Sequence, residues 1–127
     1  IEKLKIFPDE LRKRQAIAQR YNRLLEGVCI TPLIDCDIVS AWAQYTVRVK
    51  NRDQVVAKLN EAGIPTPIYY PRPIHTQKPY SHFLTGPGGL PVSEQLSKEV
   101  FSLPMNPYLD EKSQDMIVAE VSKASGN

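Results

Sequence analysis

A chain of 127 residues, 42% hydrophobic and 24% charged, is long enough to close one ordinary core and has the balance of a soluble globular domain. Its formal net charge of +2 gives no strong steering toward nucleic acid or a membrane surface, and no apolar run approaches the length of a membrane span. Two cysteines, Cys29 and Cys36, make no disulfide framework, and no second pair or nearby histidine completes a metal site. They read as reduced thiols, which with the absence of a signal-peptide pattern places the chain in the cytosol.

The first residues, 1–8, read as the end of a helix that begins upstream, so the chain is expected to be a piece of a larger protein. Residues 9–26 have the clearest helical period: Leu11, Ile17, Ala18, Tyr21, Leu24 and Leu25 recur on one face. Pro8 and Asp9 give a start signal and Gly27 a stop. Five arginines and lysines cover the rest of the helix and read as a solvated face. They lack the interleaved aromatics of a nucleic-acid patch.

Residues 41–49 alternate. Ala41, Ala43, Tyr45, Val47 and Val49 point one way, as in a half-buried strand. Trp42 then falls on the polar face, either beneath a helix or against a missing domain. Asn51 and Gln54 have the spacing of a capping box for a helix with Val55, Val56, Leu59 and Ala62 inside and Gly63 at its end. Residues 66–70 read as a further strand. Adjacent strand residues face opposite ways, so one of Tyr69 and Tyr70 should be core.

The next stretch has no helical or strand period. Residues 71–90 form a loop of roughly 20 residues, a length that in a compact domain marks function or disorder. Prolines at 65, 67, 71, 73 and 79 hold the backbone extended. They restrain Tyr69, Tyr70, Arg72, His75 and Gln77, a donor-rich set suited to a sugar or a diphosphate, with Arg72 able to pair with phosphate oxygens. His82 lies in the looser part. Gly86, Gly88 and Gly89 lack the spacing of a dinucleotide loop. Beyond the loop come a short helix over 91–99, a short strand over 100–103, and a last helix capped by Asp110 with Gln114, Ile117, Val118 and Val121 on one face. Residues 125–127 read as a frayed tail. The order predicts an α+β sandwich, a small mixed sheet covered by helices. No complete catalytic set is present.

The run GIPTPIYYPRPIHTQKPY resembles the small-domain segment of the DegT-type aminotransferases, pyridoxal-phosphate enzymes that aminate keto sugars on nucleotide carriers. FPDELRKRQAIAQRYNRLLEG, AWAQYTVRVKNRDQVVAKLNEAGI and GGLPVSEQLSKEVFSLPMNPYLDEKSQDMI are similar to the segments around it, in the same order. The resemblance implies the C-terminal small domain of a type I aminotransferase fold over residues 1–127. It implies a large N-terminal domain of the same chain, a homodimer, glutamate as amino donor and a nucleotide-sugar substrate. None of the nine lysines matches the family's cofactor-lysine context, so this piece should bind no pyridoxal phosphate and be inactive alone. Tyr69 and Tyr70 fall where relatives contact the nucleotide sugar, and His75 and Gln77 match polar positions of the motif. Position 69 departs from the pattern, since some relatives carry histidine there. The Y-P-x-P-x-H-x-Q string points to a 3-keto sugar of the acetamido uronic type. The competing reading is a stand-alone ferredoxin-like module that binds a ligand or a protein.

Overall fold

The computed structural model describes residues 1–126. The elements are α1 (Glu2–Leu24), β1 (Tyr45–Arg48), α2 (Arg52–Glu61), α3 (Pro91–Glu99), β2 (Val100–Leu103) and α4 (Glu111–Ser125). Single 3-10 turns at Ile74–Thr76 and Lys78–Tyr80 interrupt the long loop.

Helix and sheet combine as an α+β unit. β1 and β2 pair antiparallel, from Tyr45 opposite Leu103 to Arg48 opposite Val100, and Ile30 adds one bridge to Arg48. The sheet is therefore an antiparallel pair, smaller than the mixed sheet expected, and a ferredoxin-like arrangement of four strands is not present among the described residues. The reason lies in residues 66–70, which form no strand. Pro65 and Pro67 carry no N–H and cannot build a ladder. One bond remains, from Ser102 N to Pro67 O at 3.0 Å.

The core lies between the sheet and the helices. Ile17, Tyr21 and Leu25 meet Tyr45 and Val47 of β1, Phe101 and Leu103 of β2, Val55 and Leu59 of α2, and Ile117 and Val121 of α4. The Tyr21 and Tyr45 rings pack in a tilted pair, 4.9 Å between centroids. Burial raises both phenols well above their ordinary range. The Tyr21 hydroxyl donates to the Pro104 carbonyl at 3.1 Å. Gln114, fully enclosed on α4, donates through Nε2 to Ile17 O at 3.0 Å and so ties α4 to α1. On the other face of the sheet the Thr46 and Ser102 hydroxyls share a hydrogen bond of 2.9 Å.

Several local expectations change. Pro8 does not start α1; the helix enters at Glu2 and runs through it. Pro8 costs one intrahelical bond. The Lys3 ammonium spans the gap and reaches the Glu10 carboxylate at 2.5 Å, where the Tyr108 hydroxyl also donates, at 2.8 Å. These bonds hold the Glu10 carboxyl below its usual range, Lys3 first and Tyr108 second. The Asn51 side chain makes no cap, so the capping box does not form. Its carbonyl instead accepts from Gln54 N and Val55 N. The Asp110 cap does form, accepting from Ser113 N at 2.8 Å. At the expected tail, Ser125 ends α4 and Gly126 caps it with φ 85°, while Asn127 lies outside the described residues.

The strand begins at Tyr45 and not at Ala41, because Trp42 adopts φ 47°. That backbone is unfavourable for an aromatic residue, and tertiary packing overrides it. The turn places the indole in the core at 5% exposure, 5.7 Å from the Tyr45 ring. Its Nε1 donates to Gln15 Oε1 at 2.6 Å. Trp42 thus packs beneath α1. Its fluorescence in the isolated chain should be blue-shifted and poorly quenched by acrylamide. A red, fully quenched emission contradicts this packing.

Candidate functional site

The loop after residue 70 and one face of α3 line an open cavity of about 880 Å³. Tyr70, Arg72, His75 and Gln77 contribute from the loop. Leu90, Ser93, Leu96, Ser97 and Val100 contribute from α3 and the start of β2, and Ile74, Tyr80, Phe83 and Leu84 give further apolar wall. The site is thus an apolar basin with polar groups from the loop and two serines from α3. Cavities of this size and mixture suit a small-molecule ligand.

The chain positions these groups by short-range rules. Pro71, Pro73 and Pro79 limit the loop backbone. Gln77 Nε2 donates to the Arg72 carbonyl at 3.1 Å and the Thr76 hydroxyl to the Pro73 carbonyl at 2.8 Å, closing the first turn. The Tyr80 and Phe83 rings stack at 6.5 Å. Tyr70 adopts φ 55° and is 88% exposed. A bulky residue in that conformation, held at a cavity mouth, is the kind of local strain that functional sites store.

Of the five candidates from sequence, Tyr70, Arg72, His75 and Gln77 line this cavity, and Tyr69 does not. Neither tyrosine is core: Tyr69 is 46% exposed, because the segment ends as an irregular turn where the pleat would have buried one of the pair. Arg72 has no ion-pair partner among the described residues, so its guanidinium is free to take an anion. His75 is fixed by a residue that sequence reasoning missed, Glu94 on α3, with Nε2 at 3.0 Å from Oε1. No local signal marked it, since Glu94 lies 19 positions from His75 and the two meet only across the fold. His82 packs on Phe83 and lines no part of the cavity.

Elsewhere the chemistry is thin. Cys29 is half-buried and its thiol is pushed up to about 11 by burial; Cys36 is exposed. No cluster of three metal-ligating side chains occurs among the described residues. No helix among them is long and apolar enough to cross a membrane.

The fold is a helix-covered antiparallel pair with a proline-framed loop beside an apolar cavity. The family model of the DegT/DnrJ/EryC1/StrS aminotransferase family matches residues 1–122, and the chain belongs to that family. It is 41% identical to a UDP-2-acetamido-2-deoxy-3-oxo-D-glucuronate aminotransferase of Pseudomonas aeruginosa over 96% of this chain and 33% of the relative. The crystal structure of a DegT DnrJ EryC1 StrS aminotransferase from Brucella abortus superposes with a TM-score of 0.94 at 46% identity, covering 99% of this chain and 34% of that one. S. venezuelae DesV, solved in complex with a ketimine intermediate, superposes with a TM-score of 0.89 at 28% identity over 98% of this chain and 34% of that one. The chain therefore spans about a third of the length of the relatives it matches.

Aminotransferases of this family use pyridoxal phosphate. That cofactor needs a lysine amine for its aldehyde. The cavity lining holds neither a lysine nor a carboxylate, so the residues gathered here do not fit it.

Proposed function

We propose that this chain is the substrate-facing C-terminal part of a pyridoxal-phosphate aminotransferase that aminates a keto sugar on a nucleotide carrier. The observation that carries this reading is the cavity itself. Tyr70, Arg72, His75 and Gln77 converge on one apolar basin within a chain of this family. The reaction moves an amino group from glutamate to the sugar ketone and leaves 2-oxoglutarate. The large N-terminal domain of the whole protein supplies the cofactor, its lysine and the proton transfers. The residues here supply orientation. Arg72 pairs with a phosphate or carboxylate oxygen, the apolar wall packs against ring faces, and Tyr70, His75 and Gln77 meet sugar hydroxyls. Tyr69 remains a secondary candidate for a contact outside the basin.

The whole protein is proposed to work as a homodimer in the cytosol, in the synthesis of sugars for surface polysaccharide. Nucleic acid and membrane are not among its partners. The 41% identity to the Pseudomonas enzyme favours a 3-keto acetamido uronic sugar as substrate. Transamination by the full-length enzyme against a panel of UDP- and dTDP-linked keto sugars, with glutamate as donor, tests this. Failure to aminate any of them overturns the reading.

The same reading sets what single changes should do. In the full-length enzyme, His75→Ala and Tyr70→Phe each remove one uncharged hydrogen bond, worth about 0.5–1.5 kcal/mol or a few-fold to tenfold in affinity. Neither group transfers the reacting proton. The Michaelis constant for the sugar should therefore rise more than turnover falls, while the half-reaction with glutamate stays near normal. Wild-type sugar affinity in both variants would make the loop a structural element.

A further inference from the structure

The loop and α3 are tied at one side-chain contact, His75 Nε2 to Glu94 Oε1 at 3.0 Å, between residues 19 positions apart. The His75 side chain is 17% exposed and that of Glu94 49%. The loop holds the ring from both sides in sequence, through Pro73 and through the Gln77 amide on the Arg72 carbonyl. A carboxylate accepts hydrogen bonds and donates none. Nε2 must then carry the proton, and in the neutral ring Nδ1 is left as a bare acceptor. Among the described residues no group donates to Nδ1, while the ring borders the cavity.

We propose that Glu94 is a positioning residue that holds His75 in its Nε2–H tautomer, so that Nδ1 accepts a hydrogen bond from a hydroxyl or amide N–H of the sugar. The role rests on the binding-site reading above. It adds a specificity. A site built around a fixed acceptor favours a ligand with a donor at that point, and a sugar lacking that hydroxyl or amide leaves Nδ1 unpaired. Glu94 does this from α3, a regular element, which sets the ring more firmly than the loop alone. The arrangement is the carboxylate–imidazole pairing that orients histidine in many sites.

Two measurements test it. The 127 residues hold two histidines, so a long-range ¹H–¹⁵N spectrum of the ¹⁵N-labelled 127-residue chain contains two ring systems, and His82→Gln assigns them. At pH 8 His75 should show a protonated Nε2 and a bare Nδ1, and Glu94→Ala should replace this with an averaged mixture. A His75 that is Nδ1–H, or one unchanged in Glu94→Ala, overturns the proposal. The second measurement uses the full-length enzyme with UDP-2-acetamido-2-deoxy-3-oxo-D-glucuronate. His75→Ala and Glu94→Ala should each raise KM a few-fold to roughly tenfold with turnover nearly unchanged. The double variant should be no worse than His75→Ala, since the two act as a unit. Glu94→Gln, whose amide oxygen still accepts from Nε2–H, should recover part of the loss. A rise in KM for His75→Ala alone, or additive losses in the double variant, removes the positioning role and leaves the binding site standing. No change in KM for either variant removes the binding site and the positioning role together.

Discussion

Tyr21→Ala should cost the domain roughly 3–5 kcal/mol, the range for deleting a buried aromatic ring. Tyr21 is fully enclosed, packs its ring against that of Tyr45 and bonds the Pro104 carbonyl. The truncation removes ring contacts from α1, β1 and the turn after β2 at once, and leaves the part-buried Pro104 carbonyl without its donor. Against a typical domain stability of about 5–15 kcal/mol this is a large share, and the melting temperature should fall by more than about 10 °C. Tyr21→Phe keeps the ring and should lose only about 1 kcal/mol. Tyr69→Ala, on the exposed turn, should stay within about 0.5 kcal/mol of wild type. Urea denaturation of the three variants checks the order. A Tyr21→Ala loss below about 1 kcal/mol would show that this aromatic contact does not organise the core.

The second large effect is one of activity. The 127-residue chain by itself should show no transamination, and no stoichiometric pyridoxal-phosphate adduct should be trapped on it by borohydride. The basis is the chemistry of the cavity lining, which offers apolar surface, hydroxyls, an amide, an imidazole and a guanidinium but no lysine amine. Lys78, the one lysine of the loop, is not among the lining residues. Mass spectrometry after reduction distinguishes diffuse labelling of surface lysines from a single modified site. Quantitative modification of one lysine would mean that this domain takes part in holding the cofactor, and the division of labour proposed here would fall.

The proline-framed loop and the core depend on different parts of the sequence, so the two sets of variants should separate. Core truncation lowers stability throughout. His75→Ala and Tyr70→Phe remove exposed or half-buried groups on the loop and should leave the unfolding transition in place. Distant, unshared contacts add independently.

What the sequence alone determined follows from local periodicity and local chemistry. The buried stripe of α1, the alternation at Tyr45 and Val47, α3, the strand Val100–Leu103 and the Asp110 cap of α4 are all legible, because each needs only the 3.6 or 2 residue period or a side chain bonding its own neighbours. The proline-framed loop was legible for the same reason, as was the grouping of Arg72, His75 and Gln77 within six residues of chain. The tertiary structure decided the rest. Pro8 lies inside a helix because Lys3, Glu10 and Tyr108 bond across it, and Tyr108 is 98 positions away from Glu10. Trp42 leaves the strand because a core built from α1 and β1 has room for its indole and Gln15 accepts from its Nε1. Residues 66–70 fail as a strand because two prolines leave too few donors beside β2, a cost that appears only once the partner strand is known. Glu94 meets His75 because α3 folds back over the loop, bringing together side chains whose spacing along the chain carries no local signal. Short-range rules act on neighbours in sequence, whereas a contact across the fold exists only after the core has set where each element lies.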